Sequence, residues 1–541
     1  MNSFARWFLI LTPVLAALGV WLSPLAFVPV PWPDDSAFYF VARDFFRWPP
    51  RWVMIPQSPF EPTYRIFNFN TMPLYPLLIG LGRFVGIDGS FALKFWPLAA
   101  WALSGSLLAA VLLKRAKLPV LLTSLVILAI SLDPVLRWAS VLIRPESLIG
   151  LAGMALVLGL TFGFPARLRA RGWWWDPVSA LLAIAAYAHF NAVHLLFPVI
   201  AVLIWNPKRL VSIGLKTALY LVPWIITVLW HFPLFVHQMN TQWARLSIQN
   251  NWLSSVNQIL KALIPDMGSP TPWAMPAMLW AAWILGIFLV LAAGALLFEA
   301  ARKWRNKERA DELPNGIDLT ASAAWALGAV WLWHTKPEVW FVYFIHLSAW
   351  CFCGLALARV RRNKTALTFL AGLALLSTFA YAWADAEQMR LLSRGSSWRW
   401  STYDEFVSCI DERLVAHEKS VGAKAKDGTF RVWGPTFPDV LIELSRRHPD
   451  WEFTRTNDFW SRANLAIAHG REVDAVVVTE TLRQEERTIS APAKDHPELT
   501  SVWMNWKDYF LNRLWTEADW KQDRHICQRG RWQAFLFMDP R

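Results

Sequence analysis

Residues 7–48 read "WFLILTPVLAALGVWLSPLAFVPVPWPDDSAFYFVARDFFRW", an apolar run that leads into two adjacent aspartates, Asp34 and Asp35. The apolar run is longer than the hydrophobic region of a secretory signal, about 7–15 residues, and further apolar runs follow it. We therefore predict a retained transmembrane helix over about residues 7–29, with Arg6 on the cytoplasmic side. The acidic pair then emerges on the opposite face of the membrane.

The composition is typical of a membrane protein with a polar tail. Of 541 residues, 55% are hydrophobic and 17% are charged, whereas soluble domains carry about 25% charged residues. The net charge of +13 is explained by Lys and Arg in cytoplasmic loops, so it does not indicate a nucleic-acid partner. We predict two domains, a transmembrane domain over residues 1–384 and a soluble domain over residues 385–541.

Apolar runs and basic clusters alternate along the first domain, which predicts an α-helical polytopic protein with about eleven transmembrane helices. Residues 31–89 hold amphipathic and aromatic pieces without a clean span. They predict a first external loop with helices at the membrane interface. The basic clusters all fall on the cytoplasmic side in this count; they lie at residues 114–117, 167–171, 208–209, 302–309 and 359–364. The last span then leaves the tail outside the cytoplasm.

The tail alternates strand-like and helix-like segments, which predicts a small α/β domain with a mostly parallel sheet. Cys409 and Cys527 both fall in it, and they could form a disulfide in an oxidising compartment. The predicted strands are "FRVWGP", "WEFTRT", "DAVVVTE" and "WQAFLFMD", and the predicted helices are "FPDVLIELSRRHP" and "WSRANLAIAHG".

Asp34 and Asp35 are the first candidates for chemistry, because charges at the membrane face are costly and are usually functional. One alternative is structural, since Asp is a good N-cap for the helix predicted over the following "SAFYFVARDFF". Two adjacent carboxylates could also supply oxygen ligands to a divalent metal, and the sequence leaves metal dependence open.

Two further groups of charged residues lie at predicted outer ends of helices. Arg144 and Glu146 flank a proline in "LIRPESL", where the alternative is a simple helix start with Pro and Glu in the first turn. His334, Lys336 and Glu338 occur in "WHTKPEVWFVYF". A lysine on the outer face can meet an anion such as a lipid phosphate, or its side chain can snorkel to the interface.

His189, Asn191 and His194 interrupt the fifth apolar run. Their spacing is not that of a metal site. They predict a helix break with satisfied polar contacts.

Three stretches, in this order, resemble the GT-C superfamily of integral-membrane glycosyltransferases: "PDDSAFYF", "FNFNTMPLYPLLIGLGRFVGIDG" and "LIRPESLIGLAGMALVLGL". The likeness is to bacterial relatives of protein O-mannosyltransferases and of the lipid A aminoarabinose transferase. It implies a GT-C-like fold in a bacterial inner membrane. It also implies inverting transfer of a sugar from a polyprenyl-phosphate donor to an envelope glycolipid, polysaccharide or protein on the periplasmic face.

The resemblance also implies roles for individual residues. Asp34 matches the catalytic carboxylate, Asp35 the second acidic residue and Glu146 a later carboxylate. The donor phosphate is expected to meet Lys336, Arg144 and His334. The substrate pocket is expected to include Tyr39, Arg43, Glu61 and Glu338. The lipid-linked sugar is the donor substrate, and no organic cofactor is expected.

Two other functions fit the sequence less well. A lipid or polysaccharide transporter usually shows internal repeats and charged or broken helices at the middle of the membrane, whereas the candidate residues here cluster at the outer face. An envelope scaffold without catalysis would leave the acidic pair in the first loop without a role.

Overall fold

The computed structural model describes residues 3–23, 33–53, 66–69, 71–169, 174–244, 274–306, 317–335, 341–394, 400–423, 428–433, 440–454, 474–481, 524–529 and 532–538. Helices form most of this chain before residue 423. They are α1 (Ser3–Trp21), α2 (Pro33–Phe45), α3 (Leu74–Phe84), α4 (Phe95–Lys114), α5 (Val120–Leu132), α6 (Pro134–Ser140), α7 (Glu146–Phe162), α8 (Ala166–Arg169), α9 (Pro177–Ala188), α10 (Leu196–Leu203), α11 (Pro207–Tyr220), α12 (Val222–Trp230), α13 (Phe232–Ala244), α14 (Ala274–Asn306), α15 (Thr320–Thr335), α16 (Val342–Arg359), α17 (Lys364–Arg394) and α18 (Trp400–Val421).

The protein is a multi-pass membrane protein. Among the described residues, five helices are long and apolar enough to cross a bilayer, and seven crossings result if each of two bent helix pairs counts as one. Other apolar helices, such as α7 and α9, have 10–17 residues, fewer than the roughly 20 that a straight span needs. The count of eleven spans therefore stays a prediction.

Helix α16 is the centre of the bundle. Every residue from Val342 to Ala358 is buried, as expected for a helix that is apolar all round. Helix α7 approaches it closely through Gly150, where an added Cβ would lie 2.7 Å from a ring carbon of Tyr343. Small residues at such crossings allow membrane helices to pack backbone to backbone.

Two predicted spans are broken by local chemistry. Helices α5 and α6 meet at 53°, because Asp133 ends the first helix and caps the second: its carboxylate accepts from Val135 N at 2.9 Å and Leu136 N at 3.3 Å. The seventh of the eleven predicted spans, over about residues 211–230, is not one straight helix. It is split into α11 and α12, which meet at 65°. Pro223 in the first turn of α12 has no N–H to continue the preceding helix.

The predicted break at His189 is confirmed. The backbone of His189 is extended, with φ −169° and ψ 153°, and a six-residue 3₁₀ helix, Phe190–Leu195, separates α9 from α10. The polar side chains satisfy the backbone at the break: His189 Nδ1 accepts from Asn191 N at 3.2 Å, and His194 Nδ1 lies 2.6 Å from the carbonyl oxygen of Asn191.

The tail holds a five-stranded sheet in the order β2-β1-β3-β5-β4, with helix α19 (Leu441–Arg447) between β1 and β2 in the chain. The strands are β1 (Arg431–Trp433), β2 (Glu452–Thr454), β3 (Ala475–Thr481), β4 (Arg524–Arg529) and β5 (Trp532–Met538). Only the pairings of β1 with β2 and β3 are parallel. Strands β3, β5 and β4 pair antiparallel.

The prediction of a mostly parallel sheet is therefore wrong. The reason is the short connection from β4 to β5, since a parallel crossover needs a dozen or more residues. Strand β4 was not predicted, and the helix predicted in "WSRANLAIAHG" lies outside the described residues. Apolar side chains of the sheet and of the membrane helices belong to one continuous buried cluster.

A disulfide joins Cys409 on α18 to Cys527 on β4, with Cα atoms 5.8 Å apart. It ties the helix that follows the last membrane span to the edge strand of the sheet. The other two cysteines, Cys351 and Cys353, are buried free thiols in α16.

We expect a thiol reagent to modify two of the four cysteines when the protein is unfolded without reductant, and all four after reduction. Intact mass measures the count. In a Cys409→Ser variant, Cys527 should become reactive without reductant. Modification of all four cysteines in unreduced protein would contradict the disulfide. Loss of a native disulfide typically costs about 2–5 kcal/mol, so the variant should also melt earlier.

Candidate active site

The acidic pair belongs to a helix. Asp34 and Asp35 occupy the first turn of α2, directly after Pro33. Proline is favoured at this position because its φ is already helical and its missing N–H would be unpaired anyway. The side chains of the two aspartates lie outside the described part of the structure, so their roles stay predictions.

The buried face of α2 packs on α3 and on the turn that follows it. Phe38 meets Tyr75 edge-on with ring centroids 5.3 Å apart. Tyr39 is fully buried, and the guanidinium of Arg83 lies 5.2 Å from the centre of its ring. Burial, with help from the nearby Asp88 carboxylate, raises the pKa of the Tyr39 phenol to about 12. The phenol is therefore neutral at physiological pH and can donate a hydrogen bond but cannot act as a base.

Arg43, on the same helix, is turned towards the protein. Its guanidinium pairs with Asp44 at 2.8 Å and donates to Ser445 Oγ on α19 at 3.0 Å. Only 4% of the Arg43 surface is exposed. The assignment of Tyr39 and Arg43 to a substrate pocket stays a prediction, since both are buried against protein neighbours.

Arg144 and Glu146 form a buried ion pair at the start of α7, with Arg144 Nη2 3.0 Å from Glu146 Oε1. The Nε of Arg144 lies 3.3 Å from each carboxylate oxygen. Glu146 also stands in the first turn of the helix, where negative charge meets the positive end of the helix dipole. The structure thus combines the helix-start arrangement with a charge pair at the membrane face.

A polar group that sequence reasoning missed surrounds Glu146. Ser140, at the end of α6, and Ser147, beside Glu146, place their hydroxyl oxygens 3.2 Å apart. Tyr343 of α16 is fully buried against this pair and against α7. The two serines flank the Arg-Pro-Glu segment in the sequence, which is the signal that could have found them.

A second missed cluster holds the other end of α6. Asp133 Oδ2 lies 2.8 Å from His346 Nδ1 and accepts from Trp350 Nε1 at 3.0 Å. One turn along, Arg137 pairs with Asp385 of α17. Ionisable residues within apolar runs are functional or structural markers, and that pattern could have identified all of them. Helix α6 is thus fixed at its start and middle, and it leads directly into Arg144 and Glu146.

Of the remaining predicted residues, the structure describes His334. His334 is exposed near the end of α15. Lys336, Glu61 and Glu338 lie outside the described residues. Within the part of the chain that the structure describes, no group of three or more His, Cys, Asp or Glu side chains could hold a metal ion. The side chains of Asp34 and Asp35 are not among those described, so a divalent metal bound by these two carboxylates stays a prediction.

No family model and no curated protein match this sequence. Among solved structures, the fold is similar to the apo oligosaccharyltransferase of Archaeoglobus fulgidus, with a TM-score of 0.50 and 13% identity, over 88% of this chain and 70% of that one. The chain has a GT-C-like fold. The predicted resemblance to this superfamily is confirmed at the level of the fold.

Two structures of ArnT from Cupriavidus metallidurans also match, at lower scores. The apo form has a TM-score of 0.44 and 14% identity, with all of both chains covered. The form bound to undecaprenyl phosphate has a TM-score of 0.42 and 12% identity, over 98% of this chain and 99% of that one.

Within this GT-C-like fold, two kinds of chemical group are available at these helix starts. Carboxylates stand at the starts of α2 and α7, and a guanidinium is fixed beside Glu146. A carboxylate within hydrogen-bond reach can take a proton from a hydroxyl. A fixed arginine can stabilise negative charge on a phosphate. These are the groups that transfer of a sugar from a phosphate carrier requires.

Proposed function

We propose that this protein is an inverting glycosyltransferase that moves a sugar from a polyprenyl-phosphate donor to an envelope acceptor on the external face of a bacterial inner membrane. The observation that carries the proposal is the buried Arg144–Glu146 pair at the head of α7 in a GT-C-like fold. Burial of charge costs several kcal/mol per ion. A charge pair held at the membrane face therefore favours a functional site.

In the proposed reaction, an acceptor hydroxyl oxygen attacks the anomeric carbon as its proton passes to the Asp34 carboxylate. The bond from that carbon to the carrier phosphate breaks, and the phosphate leaves with the electron pair. Arg144, with Lys336, stabilises the charge that develops on the phosphate. In-line attack inverts the anomeric centre. Asp35 orients the acidic helix or the sugar, and Glu146 holds Arg144 in place.

The external location of the tail is part of the proposal. A basic segment, residues 359–364, is followed by a single long apolar helix, α17, before the tail begins. Basic clusters favour the cytoplasm, so one crossing carries the tail outside. The Cys409–Cys527 disulfide supports this side, because disulfides persist in oxidising compartments.

The test is transfer by the purified protein in lipid nanodiscs, with labelled polyprenyl-phosphate sugars and extracted envelope acceptors. We expect an acceptor-linked product whose anomeric configuration is inverted. A double variant, Arg144→Gln with Glu146→Gln, keeps a neutral hydrogen-bonded pair and avoids a lone buried charge. Loss of a hydrogen bond to a charged group is worth about 1.5–3 kcal/mol, or about 10–150-fold, and the double variant should lose transfer in this range.

A transfer rate in the double variant equal to that of the parent protein would contradict the role of Arg144. Movement of the labelled lipid across the bilayer without a new glycosidic bond would instead indicate a transporter. A binding partner captured by a protein that transfers no sugar would indicate a scaffold.

A further inference from the structure

Helix α2 carries the acidic pair at its start, and its other end is held by the tail. Arg43 reaches from α2 to Ser445 on α19, a hydrogen bond of 3.0 Å between residues 402 positions apart. One turn earlier, Phe40 stacks on Phe453 of β2 with ring centroids 6.3 Å apart. The guanidinium of Arg43 lies 4.6 Å from the centre of the Phe40 ring. All four side chains are buried.

A second contact fixes the turn behind α3 to the same tail helix. Glu443 of α19 accepts a hydrogen bond of 2.6 Å from Ser90 N. Gly89 has φ +95°, and an added Cβ would lie 3.0 Å from the Glu443 carboxylate, so the chain fits there only as glycine. Glu443 is 1% exposed. The same turn holds Asp88, which pairs with Arg83 of α3 at 3.4 Å, and the guanidinium of Arg83 covers the ring of Tyr39 on α2.

The tail thus contacts α2 directly through Ser445 and Phe453. It also supports α2 indirectly through Glu443, which binds the turn after α3. The lever is short. Asp35 lies eight residues before Arg43, or about 12 Å along a helix that rises about 1.5 Å per residue. A tilt of about 5° at Arg43 would move the acidic end by about 1 Å, and a misplacement of this size can cost about 10²-fold in rate.

We propose that the C-terminal domain is a positioning element of the active site, which holds α2, and with it Asp34 and Asp35, in register with the bound donor. The proposal rests on the function proposed above. Ser445, Phe453 and Glu443 are positioning residues in it and touch no reacting atom. Arg43 receives the same role, in place of direct contact with the substrate.

The experiment alters the tail and leaves α2 unchanged. The variants are Ser445→Ala, Phe453→Ala and the conservative Phe453→Leu. The matched control is Asp404→Asn, which removes an ion partner of Arg447, 2.8 Å away. Arg447 is also on α19 but faces α18 rather than α2. Transfer kinetics in nanodiscs and hydrogen–deuterium exchange of the amides of residues 36–45 are measured for each.

We expect Ser445→Ala combined with Phe453→Ala to lower kcat by about 10–100-fold while the KM for the donor is unchanged. Exchange in α2 should become faster in the same variant. Phe453→Leu should restore most of the rate, and Asp404→Asn should match the parent protein in both measurements. A general loss of folded protein would also lower the apparent kcat at unchanged KM, so each rate is divided by the folded fraction of that variant, and faster exchange is required in α2 and not throughout the chain.

Unaltered exchange in α2, or faster exchange with unaltered kcat, would overturn the positioning role even while Asp34→Asn abolished transfer. Failure of the proposed function gives a different result: the parent protein would transfer no sugar from any donor. That result would overturn both proposals. Faster exchange in α2 would then show only that the tail stabilises this helix.

Discussion

Replacement of Asp34 by Asn should reduce sugar transfer by about 10²–10⁴-fold, which is the usual contribution of a general base. Asparagine keeps the shape of the side chain and its hydrogen-bonding oxygen but cannot take the proton of the acceptor hydroxyl. The measurement is initial transfer rate in nanodiscs at saturating donor. Helix α2 should be intact in this variant, since a carboxylate in the first helical turn contributes only about 0.3–1 kcal/mol through the helix dipole.

The matched variant is Asp35→Asn, at the neighbouring position of the same helical turn. We expect a smaller loss from it, because Asp35 is assigned an orienting role. Thermal stability is measured beside activity, because loss of a carboxylate from the first helical turn alone costs about 0.3–1 kcal/mol and acts on stability first. Normal transfer by Asp34→Asn would move the base to Asp35 or Glu146. Normal transfer by Asp34→Asn, by Asp35→Asn and by the double variant that contains Glu146→Gln would leave the mechanism without a base.

Replacement of Asp133 by Ala should destabilise the protein by about 2–5 kcal/mol, because one carboxylate both caps α6 and accepts from two side chains of α16. A cap is worth about 0.5–2 kcal/mol. Each hydrogen bond between membrane helices is worth about 0.6–1.7 kcal/mol, and both His346 and Trp350 would lose their acceptor. The loss is measured as reversible unfolding in mixed micelles.

The chain supplies a close control. Asp176 caps α9 in the same Asp-Pro arrangement, with its carboxylate 2.9 Å from Val178 N and 3.1 Å from Ser179 N. Asp176→Ala should therefore cost the cap alone, about 1 kcal/mol. Asp133→Asn, which keeps a capping oxygen, should fall between the two. Equal losses for Asp133→Ala and Asp176→Ala would show that the contacts to α16 add nothing.

The sequence predicted those features of the membrane part that depend on local patterns. Apolar runs predicted the helices, and the polar residues at His189 predicted a break. The bend at Asp133 could also have been predicted, because Asp followed by Pro is typical of the start of a new helix. The bend at Leu221 was missed, since an uninterrupted apolar run hid the effect of Pro223. Hydropathy alone counts apolar residues and does not report whether they form one straight helix.

Contacts between distant segments could not be predicted. Arg43 was predicted to line a substrate pocket, and its hydrogen bond to Ser445, 402 residues later, could not be predicted from the sequence. Likewise, Asp133 contacts His346, which lies 213 positions later in the chain. This contact forms only when α16 packs in the centre of the bundle. In the tail, alternation predicted strands but not their order, because sheet order depends on which edges meet after folding. The candidate site could be named from motifs, but the residues that support it required the fold.

The order of the sheet has a consequence for biogenesis. Strand β5 follows all the others in the chain, yet it lies between β3 and β4. Until β5 is synthesised, β3 has an open edge, and the segment of Cys527 has no neighbouring strand to hold it opposite Cys409. Synthesis, oxidation and docking on α2 are thereby coupled in time. A chain that stopped before Trp532 would leave β3 with an unpaired edge, and an unpaired strand edge favours aggregation.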